Sequence, residues 1–391
     1  MLFYLKFIRH DVEKLHELIE YFFDQVEESN PTNIDLNTLF PNWYNTAPVF
    51  RMTKLEALLS DFINFSLELK TSIISSFRKA NSIEMFFDDE TNDIPKAKDF
   101  ANHHWKTISV NGKNKKLTIS DFLSELFLYL YTNQLSKKDS SFCKKIESNL
   151  AEYYLHFVQE NSHDFIQNLV CPYCGLEKMR DEENIRKPDH DHLLPKGDDL
   201  FIFSSVNLKN LLPSGTDCNI KKDTANLLYT DSSISKRTKA FYPYTVPPHP
   251  FELYCISLKC DEIPHQKNAY KGAWTVLIEP KDPADIITQE KISTWDRVFD
   301  IKKRIAKVIS DSNKALIDKE FKITRIDNQT LLIDKLNQQI DRLPIDYFFL
   351  STEIDHIPKR IFYDWAITEC TYLSDLLANN LKISNSVDLS F

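Results

Sequence analysis

Glycine is nearly missing from this chain, with five in 391 residues. So few positions free to adopt positive φ argue against a large glycine-turned barrel and against a glycine-rich dinucleotide-binding fold. No apolar run approaches the roughly 18 residues that a membrane span needs. The opening stretch, Met1-Leu-Phe-Tyr-Leu-Lys-Phe-Ile-Arg-His10, lacks the charged leader and small-residue cleavage site of a secretory signal. The seven cysteines are an odd, scattered set in which only Cys171 and Cys174 are closely paired, so a disulfide framework is not expected. Positive charge is also short: 48 Lys and Arg against 57 Asp and Glu leave a net charge of −9. Any contact with a polyanion must then be a local basic patch. These absences lead to the expectation of a soluble, cytoplasmic protein.

What is present is enough to fold. Hydrophobic residues make up 42% and aromatics 12%, and the length favours two or three domains over one core. The pattern predicts an α+β protein, mainly helical. Leu15, Leu18, Ile19, Phe22, Phe23 and Val26 fall on one helical stripe. Leu55, Leu58, Leu59, Phe62 and Leu69 repeat it, and Phe122, Leu123, Leu126, Phe127 and Leu130 form a third face with Ser120-Asp121 as its start signal. A fourth helix is predicted from Cys143 to His163, with Leu150, Tyr154, Phe157 and Val158 inward. Phe86 to Lys116, rich in Asp, Asn and Lys, reads as loop with a short hairpin at Asn111-Gly112. Farther on, Pro243, Pro247, Pro248 and Pro250 exclude helix and mark a linker. Strands are predicted over Glu252–Lys259 and Ala273–Ile278, followed by helix from Ile292 with Trp295, Val298, Phe299, Ile301 and Ile305 on one face. The expected organisation is a helical region over 1–165, a central core over 166–230, and a region of hairpin and helices over 231–391.

The chemistry is concentrated in the centre: Cys171-Pro-Tyr-Cys174-Gly175, Asp189-His190-Asp191-His192-Leu-Leu-Pro195-Lys196, Asn210-Leu-Leu-Pro213, and Cys218-Asn219-Ile-Lys221-Lys222. A C-x-x-C pair is half of a structural zinc site, closed as a rule by a second pair. Here the second pair is broken, because Gly215 stands three before Cys218. Cys171, Cys174 and Cys218 remain as candidate zinc ligands, with Ser214 or Asp217 as weak substitutes, or with a fourth donor from elsewhere such as a histidine; otherwise the thiols simply pack. Cys143, Cys255, Cys260 and Cys370 read as core residues. Asp191-His192 sets a hard metal ligand beside an imidazole suited to proton abstraction, the inventory for metal-assisted phosphodiester cleavage.

Four ordered elements, Cys-x-Tyr-Cys-Gly, Asp-His-x-Leu-Pro-Lys, Asn-Leu-x-Pro and Cys-Asn-x-x-Lys, resemble the HNH group of ββα-metal (His-Me finger) nucleases. The likeness covers 171 to about 224. It implies His192 as general base, Asp191 and Asn219 as ligands of catalytic Mg²⁺ or Mn²⁺, and Asn210 as the residue that holds the histidine loop. Asn207 is the runner-up for that last role. It also implies Lys222 as the charge that steadies the scissile phosphate, with a solvated lysine as the alternative. Asp189 and His190 could add to the metal site, but a place at the surface or behind the site is the favoured expectation, because only one of the two histidines fits the Leu-Pro-Lys register. Lys196, Lys209, Lys221 and Lys222, with Arg186 and Lys187, give the motif local positive charge suited to a nucleic-acid backbone.

The helical flanks loosely resemble those of HNH nucleases of prokaryotic antiphage defence, including the Septu-type nuclease subunit, which accompanies an ATPase. The Trp295-Asp-Arg-Val-Phe-Asp-Ile-x-x-Arg304 segment looks like the helix that follows the core in such proteins. The expectation is a DNA endonuclease with a partner protein such as an ATPase. The alternatives are an RNA-cleaving version and a zinc-knuckle module that binds nucleic acid or a partner without cutting.

Overall fold

The computed structural model describes residues 1–29, 35–46, 50–110, 112–162, 169–179, 190–197, 201–230, 236–262, 273–321, 329–346, 350, 353 and 355–368. Asn111, Asp189, Arg186, Lys187 and Cys370, singled out above, lie outside these. The architecture is α+β, dominated by helices, with three small antiparallel two-stranded sheets among the described residues. By contacts it divides into two discontinuous units. A helical unit takes Leu5–Asn161 and Arg180–Thr245, and a mixed unit takes Met1–Tyr4, Ser162–Met179 and Val246–Phe391. One boundary, between Thr245 and Val246, falls in the proline-rich segment. Another, after Met179, runs through the central motif.

The helical unit is built on α1 (Lys14–Ser29), α2 (Thr53–Ile63), α3 (Leu67–Asn81) and α4 (Ile119–Tyr129). Their apolar stripes meet in an aromatic core. Phe23 lies 5.1 Å from Phe62 and 5.0 Å from Phe77, and Phe77 stacks on Phe127 at 5.8 Å. Each fully buried ring contributes on the order of 2–3 kcal/mol. Phe127 in turn meets Phe203 edge-on at 5.4 Å, which extends the core to the turn carrying the site. Helix α4 begins at a capping box on Thr118 and Asp121, two residues before the predicted start, because Thr118 Oγ1 accepts the Asp121 N–H and the Asp121 carboxylate answers the Thr118 N–H.

The predicted helix over 143–163 is broken. A short helix, Ser141–Ile146, ends at left-handed Glu147 (φ 54°), and Asn149 then caps α5 (Leu150–Asn161). Leu150, Tyr154 and Phe157 are buried as expected, while Val158 is only half-buried and Tyr153 takes its place inside. The segment read as loop with a short hairpin contains that hairpin, β1 (His104–Val110) with β2 (Lys113–Thr118), with one register shift between His104 and Lys106. Next come β3 (His190–His192) and β4 (Leu211–Pro213), antiparallel with Asp191 opposite Leu212, and then α6 (Thr216–Lys222).

In the mixed unit, β5 (Tyr254–Glu262) pairs with β6 (Ala273–Pro280). Trp274, Val276, Ile278 and Pro280 alternate inward on β6, as a half-buried strand requires. Both strands run a few residues past the predicted ends. They pack with α7 (Ile286–Phe299), α8 (Ile301–Phe321) and α10 (His356–Thr368), which also contacts α9 (Gln329–Asp341). Trp295, Val298, Phe299, Ile301 and Ile305 are all buried, but the left-handed turn at Asp300 puts the last two on a separate helix. Cys255 is exposed and Cys260 half-exposed on β5, which corrects the reading of both as core residues. Cys143 is buried. Among the described residues no helix is long and apolar enough to cross a membrane.

Candidate active site

Three residues are all that β3 needs to present the candidate chemistry. Leu193 and Leu194 follow it into the core, and the Leu193 N–H donates to the Asn210 carbonyl at 2.9 Å, so the ladder ends in a tight, buried loop. Asn210 is completely buried and uses both ends of its amide. Its Oδ1 accepts the Leu194 N–H at 2.8 Å, and its Nδ2 faces the Leu194 carbonyl, the Ser204 carbonyl and Ser204 Oγ, each at 3.2 Å. It therefore ties the chain after His192 to the chain before β4. Asn207 does something else: its Oδ1 caps the short turn at Lys209 N and its Nδ2 reaches Asn81 Oδ1 at 3.0 Å.

The division of labour at Asn210 gives a sharp test. Asn210→Asp keeps an acceptor for Leu194 N–H but sets an oxygen against two carbonyls. We expect it to cost about 2–4 kcal/mol in urea unfolding, at least as much as Asn210→Ala. Wild-type stability in the aspartate variant would refute the amide's role.

His192 is held on three sides. Its Nε2 lies 3.0 Å from the Ser205 carbonyl, which only accepts, so that nitrogen carries the proton and Nδ1 keeps a lone pair. The Tyr131 ring meets it edge-on at 4.6 Å, and Lys196 Nζ stands 3.5 Å from Nδ1. Burial, and secondarily the charge of Lys196, push the imidazole pKa well below its ordinary value. The ring is thus neutral near pH 7, the form able to take up a proton.

Asp191 is buried beside it, with Oδ1 2.9 Å from Lys222 Nζ; the two side chains are 4% and 0% exposed. The same ammonium donates to the His192 carbonyl at 2.6 Å. Lys222 is therefore not a solvated lysine, and it faces the strand rather than open solvent. One helical turn earlier, Asn219 lines a cavity of about 550 Å³ together with His190, Asp191, His192, Lys196 and Asp223. A carboxylate and an amide oxygen in one cavity are a donor set suited to a hard divalent cation, with Lys222 sharing the carboxylate. His190 also lines the cavity rather than lying behind it, with its ring packed against Tyr153 and Tyr154, both at 5.7 Å.

In the mixed unit the chain from Leu169 to Met179 doubles back on itself. Cys171 N donates to Glu177 O at 2.9 Å, and Gly175 N to Cys171 O at 2.9 Å. Gly175 has φ 65°, a conformation that strains other residues, and a Cβ there would fall 2.7 Å from Leu2 Cδ1 and displace that side chain. Leu176 N donates to Cys174 Sγ at 3.4 Å. The ligand atoms of Cys171, Cys174 and Glu177 lie within 4.8 Å of one another. Tetrahedral zinc sets neighbouring sulfurs about 3.8 Å apart, so this corner can hold a metal such as zinc. Arg304 on α8 reaches Cys174 Sγ at 3.7 Å and Glu177 at 3.8 Å, offsetting the negative charge gathered there. Trp295 Nε1 donates to the Tyr173 carbonyl and Phe299 stacks on the Tyr173 ring at 4.1 Å, so the Trp295–Arg304 segment clamps the knuckle. Cys218, the remaining thiol of the motif, is buried at the start of α6 in the helical unit.

Glu177 and Tyr131 were missed in the sequence. No spacing rule singles out an acid three residues past a C-x-x-C pair, and Tyr131 is some sixty residues from the motif it touches. No family model, characterised protein or solved structure matches the chain.

Proposed function

We propose that the cavity on β3 and α6 is the active site of a metal-dependent HNH-type endonuclease acting on DNA. The observation that carries this reading is the imidazole of His192, fixed through Nε2 with its Nδ1 lone pair turned toward Lys196, in the same cavity as Asp191 and Asn219. His192 Nδ1 would take the proton from an attacking water. The Ser205 carbonyl and the Tyr131 ring hold the imidazole in place for that transfer, and Asn210 fixes the loop behind it. Asp191 and Asn219 would hold Mg²⁺ or Mn²⁺, which supplies charge stabilisation for the pentacoordinate phosphate and the leaving 3′ oxygen. By the loose likeness of the flanks, the enzyme would serve in antiphage defence with a partner such as an ATPase.

The test is incubation of the purified chain with supercoiled plasmid and with tRNA, in Mg²⁺, Mn²⁺ or EDTA. Metal-dependent nicking of plasmid with tRNA spared is the expected result. Cleavage of tRNA alone would move the substrate to RNA. If neither is cut, the enzyme reading is lost and a zinc-knuckle binding module takes its place.

For the thiolate corner we propose structural zinc held by Cys171, Cys174 and Glu177. About one zinc per chain is expected by mass spectrometry, and Cys174→Ala should lose it; full zinc occupancy in that variant would remove the corner as a metal site.

A further inference from the structure

Lys222 cannot easily meet a substrate, since its side chain is fully buried and two of its donors serve Asp191 and the His192 carbonyl. A different ammonium stands in the cavity. Lys196 is half-exposed, lines the cavity with Asp191, His192 and Asn219, and sits over the face of Tyr131, 4.3 Å from the ring centroid. That ring also packs edge-on to His192, so one aromatic side chain touches both the candidate base and the cation beside it.

Tyr131 owes its place to an irregular turn. After α4 the chain widens into a π-helical segment, Leu130–Leu135, in which the Tyr131 carbonyl accepts the Ser136 N–H five residues on. Such segments gather at functional sites because they re-aim the side chains around them. Gln134 braces this one: its Nε2 donates to Tyr129 OH at 2.7 Å, and its Oε1 accepts the Phe142 N–H at 3.1 Å.

We infer that Lys196, rather than Lys222, is the cation that contacts the scissile phosphate, and that Tyr131 is its positioning residue. The inference rests on the phosphodiesterase reading of the cavity and deepens it. Lys196 Nζ stands 3.5 Å from His192 Nδ1, and a phosphate oxygen entering the cavity would offer its ammonium a partner of opposite charge. The ring face holds the ammonium at the cavity wall through the quadrupole. Asp223 lines the same cavity, so a phosphate is accommodated there only with a cation beside it.

The test compares Lys196→Ala, Lys196→Arg, Tyr131→Phe, Tyr131→Leu and His192→Ala. Each is assayed for plasmid nicking in Mg²⁺ and for binding of a short fluorescein-labelled DNA duplex by anisotropy across a salt series. Lys196→Ala should raise KM and weaken duplex binding about tenfold, with the salt slope reduced by about 0.9, one phosphate contact. Lys196→Arg should restore both. Tyr131→Phe should match the wild type because the ring, not the hydroxyl, holds the ammonium, while Tyr131→Leu should follow Lys196→Ala. Wild-type KM, binding and salt slope in Lys196→Ala would overturn the inference. If His192→Ala stays fully active, the catalytic reading of the cavity fails, and the anisotropy series still decides whether Lys196 meets phosphate. A wild-type chain that binds no duplex overturns both.

Discussion

His192→Ala is expected to lower Mg²⁺-dependent plasmid nicking by about 10³-fold, the middle of the range for losing a positioned general base. The fold should survive with a measurable penalty. The imidazole is buried and its Nε2 serves the Ser205 carbonyl, so removing it leaves an acceptor without its donor. That costs about 1–3 kcal/mol and lowers Tm by several degrees. Circular dichroism melting beside the nicking assay separates lost chemistry from lost structure. A folded and fully active alanine variant would remove His192 from the mechanism, and with it the assignment of Asp191 and Asn219 as partners in catalysis.

The second large effect is on stability. Lys222→Ala strips the ammonium from a carboxylate that is almost wholly buried and from the His192 carbonyl in the same step. Breaking one side of a buried ion pair costs about 3–5 kcal/mol, because the charge left behind can neither reach water nor find a new partner. Asp191→Asn should cost less, since an amide retains an acceptor for the ammonium. The double variant Asp191→Asn/Lys222→Met should recover part of the loss, which a double-mutant cycle in urea unfolding would measure as a coupling energy. If Lys222→Ala unfolds at the wild-type urea concentration, the Asp191–Lys222 pair is not a buried ion pair. Because this variant weakens the strand that bears the candidate base, its nicking activity is informative only at temperatures where the melt shows it folded.

These two expectations draw unequally on sequence and structure. The adjacency of Asp191 and His192, and the order in which Asn210 and Asn219 follow, could be read directly, because a short strand, a loop and a helix keep local spacing. The stripes of α1, α2 and α4 could be read for the same reason, since a helix repeats every 3.6 residues whatever it packs against, but Leu69, read with the stripe of α2, lies on the separate helix α3. Local rules failed where a single backbone conformation intervened. Left-handed Glu147 cut one predicted helix in two, and left-handed Asp300 split another face between α7 and α8. Lys222 differs in another way. Its charge suggested phosphate or solvent, and nothing local says that Asp191, thirty-one residues earlier, lies within reach of its ammonium.

The sequence by itself determined a mainly helical α+β chain, a closely spaced cysteine pair, and a carboxylate beside an imidazole. Each of these is a property of neighbours along the chain. Tertiary structure alone decided which nitrogen of His192 keeps its lone pair, that Lys222 is buried against Asp191, that Tyr131 walls the candidate base, and that Glu177 and Arg304 join the thiolate corner. Burial, charge pairing and ring contact depend on what the fold brings from far away, and no periodicity in the sequence encodes that distance.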